Sequence, residues 1–309
     1  MATSSPNSNP APSSPEEAEK LIRHICHHGY RTNDEIQQAI DSHFLPHADQ
    51  ILALHKTTHF TDKPPFGSVV PWALGKKCYP LLRYLIHNGW EMNREREGMN
   101  GCPSLLGALP VLRDIDLTRF LLAQGADPRV GNTPPPYPRT ITRGSKGWLL
   151  HLASMFSSLE TFTLLHSHGA NLSYAHALHG AASAGPSQIP IIRHLLDSKA
   201  VDVDELDIYH AVHQGTPLLA AITKGHVEVV RVLLGYGAHP LACIKTPYES
   251  SAEESARALG SRDEEASKEI LRMLEEARGE REREGRLGGV PVSVLVKPRS
   301  GASGASGAS

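Results

Sequence analysis

The chain has little that invites a chemical reading. Its four cysteines, Cys26, Cys78, Cys102 and Cys243, are scattered and form neither a disulfide framework nor a CxxC pair, which points to a reducing compartment, cytosol or nucleus. No apolar run approaches the roughly 18 residues that cross a bilayer, and Met1 to Pro15 lacks an apolar signal core. The formal charge is only −2, from 31 basic against 33 acidic residues, so nothing electrostatic draws the chain to nucleic acid or to an anionic membrane. There is no phosphate-cradling glycine loop, no nucleophile elbow and no HExxH. These absences predict a non-enzymatic protein with no cofactor, no nucleic-acid partner and no membrane attachment.

What is present is a pattern, most complete in residues 216–239, TPLLAAITKGHVEVVRVLLGYGAH. Thr216 can cap a helix and Pro217 fits its first position, where no donor is needed. Leu218, Ala220, Ala221 and Ile222 give a short apolar helix, and Gly225 supplies a left-handed stop. A second helix follows His226, with Val229, Val230, Leu233 and Leu234 on one stripe facing neighbouring units. Gly237 ends it. Two short helices cannot bury both faces alone, so such a unit needs copies on either side.

Worn copies lie upstream. LLHLA (149–153) precedes Leu164, Leu165 and HGAN (168–171), and ALHGAA (177–182) precedes IIRHLLDSKA (191–200). CPSLLGAL (102–109) precedes TRFLLAQGADP (118–128), and VVPWAL (69–74) precedes LLRYLIHNGWEMN (81–93). Aligned on Leu85, Leu121, Leu164, Leu195 and Leu233, the second helices are spaced 36, 43, 31 and 38 residues apart. These straddle a period of roughly 33 residues, and Thr-Pro-Leu with His151 and His179 at the following position resembles the T-P-L-H-x-A pattern of the ankyrin-repeat family. The resemblance runs from about residue 66 to 275. It implies an all-α solenoid of stacked helix-turn-helix units with short finger loops, and structural roles for His151 and His179 in tying neighbouring turns together.

The remaining chain divides around the repeats. Residues 1–15 read as a disordered tail, 16–65 as a helical N-terminal cap or degenerate repeat, and 66–245 as the repeats with an insert at 131–147. Residues 246–284 read as charged capping helices, with Glu264–Lys268 and Arg272–Glu276 spaced for i,i+4 pairing, and 285–309 as a flexible tail. Within that tail VPVSVLV (290–296) reads as an incidental apolar segment, with a strand for a partner's sheet edge as the alternative. His24 and His28 share a helix face beside Cys26 and His27. With no further ligands to complete a zinc set they read as a solvated face, and no metal is expected.

The ankyrin resemblance implies binding of another protein through a concave face. There the finger turns and the ends of the first helices would bring together Arg143, Lys146, Met155, Phe156, Tyr174, His176, Tyr209, His213, Thr223 and Lys224. The insert suggests a second mode. Pro134, Pro135, Pro136 and Tyr137 match the PPxY pattern and resemble ligands of WW domains, so a WW-domain protein is a further candidate partner and a ubiquitin-ligase adaptor an alternative function. A stiff finger, an enzyme subunit and a metal binder stay open beside it.

Overall fold

The structure is a computed structural model that describes residues 105–130, 147–173, 175–206, 215–245 and 250–286, with isolated positions elsewhere between Ala73 and Val294. The putting-together of the N-terminal tail, most of the segment before residue 105 and the proline-rich insert at 131–146 lies outside the described residues, as do His24, Cys26 and His28. Two compact units are distinguished, Met1–Arg96 with Asp116–Asp127, and Glu97–Ile115 with Pro128–Ser309.

The second unit is a row of helix pairs. A 3-10 turn, Leu105–Gly107, leads into α1 (Leu109–Leu112). After α2 (Ile115–Ala123), all but the first residue of which belongs to the other unit, come α3 (Trp148–Phe156) with α4 (Leu159–Ser167) and α5 (Ala177–Ala184) with α6 (Ile189–Asp197). Then follow α7 (Pro217–Lys224) with α8 (Val227–Gly235), and α9 (Ala252–Leu259) with α10 (Glu264–Arg283). The first helices pack in series, α3 on α5, α5 on α7 and α7 on α9, while α4 meets α6 and α8 meets α10.

The local chemistry explains the repetition. Thr216 caps α7 by accepting from the Leu219 amide at 3.3 Å, and Ser251 caps α9 in a reciprocal box with Glu254. The second helices of three successive repeats end alike: the amides of Ala170, Ala200 and Ala238 donate back to the carbonyls of Leu165, Leu195 and Leu233. This closure needs a left-handed residue just before each alanine. Gly169 and Gly237 supply it at φ 100° and 89°, whereas Lys199 is forced there at φ 53°.

Between these stops the apolar stripes interlock. Phe162, Leu165, Leu178, Ile191, Ile192, Leu218, Ile222, Val229, Val230 and Leu233 are fully shielded from solvent. Leu234, expected to face a neighbouring unit as Leu233 does, is only half-buried, because the stripe is one residue narrower than the sequence spacing suggests. Truncating such fully buried leucines costs about 2–5 kcal/mol.

The C-terminal pair differs from the upstream repeats. α10 runs 20 residues and carries the predicted Glu264–Lys268 (2.6 Å) and Arg272–Glu276 pairs on its exposed side. A three-stranded sheet joins it, ordered β2-β1-β3, from β1 (Cys243–Lys245), β2 (Ser250–Ser251) and β3 (Val292–Val294). The apolar tail segment pairs within its own chain, β3 lying parallel to β1.

In the first unit, Asn93 accepts from the Asp127 amide and donates to the Gly125 carbonyl, both at 2.8 Å. The same ladder recurs in the second unit, where Asp204 accepts from the His239 amide at 2.9 Å. One finger is thus tied to the next about one period along the chain. Burial pushes the Asp204 carboxyl up, and the His239 amide bond opposes that shift.

Candidate interaction surface

Histidines align the first helices. His151 Nδ1 lies 3.0 Å from the Ala175 carbonyl ahead of α5, and His179 Nε2 lies 2.9 Å from the Gly215 carbonyl ahead of α7. Each ring near the start of one helix thereby meets the chain entering the next, so α3, α5 and α7 run parallel with their starts level. At the opposite ends, Gln188 Nε2 donates to the Met155 carbonyl at 3.3 Å and His226 Nε2 meets the Ser183 carbonyl at 3.0 Å. The residues closing α3 and α7 consequently share one side of the row.

That side holds four of the residues expected to meet a partner. Met155 and Phe156 close α3 and are half-buried, with the exposed Arg113 guanidinium 5.9 Å from the Phe156 ring centroid. Thr223 and Lys224 close α7 and are exposed. The Thr223 hydroxyl turns back to the Leu219 carbonyl at 2.8 Å, while its own carbonyl accepts from Arg262 at 3.2 Å. Arg143, Lys146, Tyr174, Tyr209, His213 and the Pro134–Tyr137 motif lie outside the described residues.

His176 does not belong on such a surface. It is only 4% exposed, because the backbone at its position, immediately before α5, is left-handed (φ 44°, ψ 43°) and carries the ring inward. Its Nδ1 lies 3.1 Å from Glu205 Oε1, and its ring meets that of His179 edge-on with centroids 5.3 Å apart. The sequence reading missed this group. A signal existed in the repeat register, where His176 stands in the place that Thr216 occupies in the best-formed unit.

A second surface feature is an open cleft of about 440 Å³ where the α7–α8 turn faces the start of α10. Glu228, Asp263, Glu265 and Glu269 line it, yet three of these acids are already engaged, Glu228 with Arg231 at 3.6 Å. Asp263 caps α10 through the Ala266 amide, and Glu269 bonds Arg272 and Arg231. Those bonds, from Arg272 first and then Arg231, hold the Glu269 carboxyl down to about 2.

Comparison with known proteins agrees with the repeat register. The family model described as ankyrin repeats (3 copies) matches residues 150–242, the span of α3 to α8. Among curated proteins no sequence matches the chain. A solved structure, the crystal structure of the ankyrin repeat domain of Bcl-3, titled a unique member of the IkappaB protein family, is 21% identical over 67% of this chain and 84% of that one, with a TM-score of 0.43. No described helix is long and apolar enough to cross a membrane. Stacked repeats of this kind serve as protein–protein interaction modules, each unit adding to a continuous binding face. By its helix pairs, its glycine and histidine positions and the family-model match, the segment of residues 150–242 is a run of ankyrin repeats.

Proposed function

We propose that the chain is a non-enzymatic interaction module that holds another protein against the side of the row where α3 and α7 end. The observation that carries this reading is the half-buried Phe156 with Arg113 beside its ring, next to Met155 at the same helix end. Aromatic and arginine side chains dominate binding hot spots, since they bring large contact area and directional charge at low entropic cost. Thr223 and Lys224 would form the polar rim.

The test is quantitative affinity capture from the native cell with the full chain, comparing wild type with Phe156→Ala plus Lys224→Ala and with a control at Glu276→Ala on the exposed side of α10. Far-UV circular dichroism checks that all three share one fold. A partner that is captured by wild type and control but lost at least tenfold from the double variant supports the reading. A partner retained equally by all three places the interface elsewhere.

The adaptor alternative rests on Pro134, Pro135, Pro136 and Tyr137 alone. A peptide of residues 131–143 should bind an isolated WW domain, and the same peptide with Tyr137→Ala should not; equal binding reduces the insert to a stiff finger.

A further inference from the structure

We propose that His176, His179 and Glu205 form a binding site for a divalent transition-metal cation, zinc by ligand preference, within the α5–α6 repeat. Each side chain offers one ligand atom, and these atoms all lie within 4.8 Å of one another. Two imidazole nitrogens and one carboxylate oxygen suit zinc, with the fourth position left to water or to a partner's side chain.

The geometry is close to that of a bound ion. Zinc–nitrogen and zinc–oxygen bonds of about 2.0–2.2 Å put neighbouring tetrahedral ligands about 3.3 Å apart. His176 Nδ1 and Glu205 Oε1 already stand 3.1 Å apart. Side-chain rotation of roughly 1.5 Å at most closes the longest gap in the set, judged against that tetrahedral edge. His179 is oriented as ligating histidines are: with Nε2–H donating to the Gly215 carbonyl, the lone pair resides on Nδ1. That outer bond fixes both the tautomer and the ring plane.

The local sequence departs from the repeat to build this group. Thr216 sits in extended backbone and caps its helix, whereas His176 adopts a left-handed backbone and makes no side-chain cap bond to α5. His176 and His179 are 4% and 0% exposed, and the Glu205 side chain 28%. A carboxylate held against two buried rings loses hydration, and a bound cation offsets that loss directly. The ion would also pin the segment after α6 to the start of α5.

The competing account is an ion pair between His176 and Glu205 with no metal. Full-length protein stripped with chelator is titrated with zinc chloride alone, by calorimetry and by equilibrium dialysis with elemental analysis. We expect this group to take up one zinc per chain, with affinity reduced at least tenfold by Glu205→Gln and by His176→Asn. Asparagine tolerates the left-handed backbone, and Glu205→Gln keeps the shape of the side chain, so at least one variant should fold; melting in chelator checks this. The surface control His166→Ala plus His168→Ala should retain the site. Cobalt(II) in place of zinc should give four-coordinate d–d absorption that either variant removes. Absence of zinc binding, or binding that survives both substitutions, overturns the proposal and leaves an ion pair.

Discussion

Replacing Gly180 by alanine tests the packing of α3 against α5 directly. A Cβ at this position would lie 2.4 Å from Ser154 Oγ, 3.0 Å from the His151 carbonyl oxygen and 3.2 Å from Met155 Cγ. The first distance is far inside van der Waals contact, so Ser154 must rotate. Doing so breaks its 2.7 Å bond to the His151 carbonyl, worth about 1 kcal/mol. Overpacking adds about 1–3 kcal/mol, while exchanging a helical glycine for alanine returns about 1 kcal/mol. The net expectation is a destabilisation of about 1–3 kcal/mol, read as a lowered urea midpoint by far-UV circular dichroism. Removing the obstructing hydroxyl with Ser154→Ala should relieve most of this, so that the double variant is more stable than the two single effects added together predict by about 1–2 kcal/mol. A Gly180→Ala protein as stable as wild type, or two changes that simply add, would refute the stated approach of the helices.

Three other outcomes follow from the same structure. Leu233→Ala should cost about 2–5 kcal/mol in a urea titration, Leu234→Ala clearly less because the side chain is half-exposed, and Lys224→Ala almost nothing. Lys199→Gly should raise the melting temperature, equivalent to about 0.5–1 kcal/mol, because glycine enters the left-handed stop without the strain lysine bears at φ 53°. Glu269 titrates well below its usual 4.5, so its contribution is fully present above that value and is lost as the pH falls toward about 2; Glu269→Gln should flatten the loss of melting temperature across that window. The group is exposed, so this effect should be small and weakened by salt.

Much of the fold was legible because repetition makes weak signals additive. Thr216, Pro217, Gly225 and Gly237 each speak for a helix boundary, and Gly185 and Gly169 in the places of Gly225 and Gly237, with the recurring apolar spacing, carry the register through residues 149–200 without any contact being known. His151 and His179 were readable as ties between repeats for the same reason, and both bond the next unit's entering chain. The surface was less legible. Whether Leu234 is covered depends on the width of the neighbouring helix face, and a spacing of apolar residues carries no information about width. β3 was unreadable as a partner of β1, since the pairing joins segments 49 residues apart at Cys243 and Val292 and three residues of alternating pattern do not choose an edge.

The group at His176 was hidden for a different reason. A repeat reading averages over units, and averaging discards the single substitution that matters. The α5–α6 unit departs from its neighbours at His176, Gly180, Lys199 and Glu205, and three of these departures carry a cost: two left-handed backbones at side chains that do not favour them, and a carboxylate held against buried rings. In a stack where each unit leans only on its neighbours, a costly unit weakens both of its interfaces. Drift alone would be expected to scatter such costs over the whole array. Among the described residues, two of the three non-glycine positions with positive φ fall in this one repeat, the third being Lys77, and with His176, His179 and Glu205 converging there this is the reason to look for a ligand, because binding free energy gained only in the folded state offsets a local deficit in the unit that holds it.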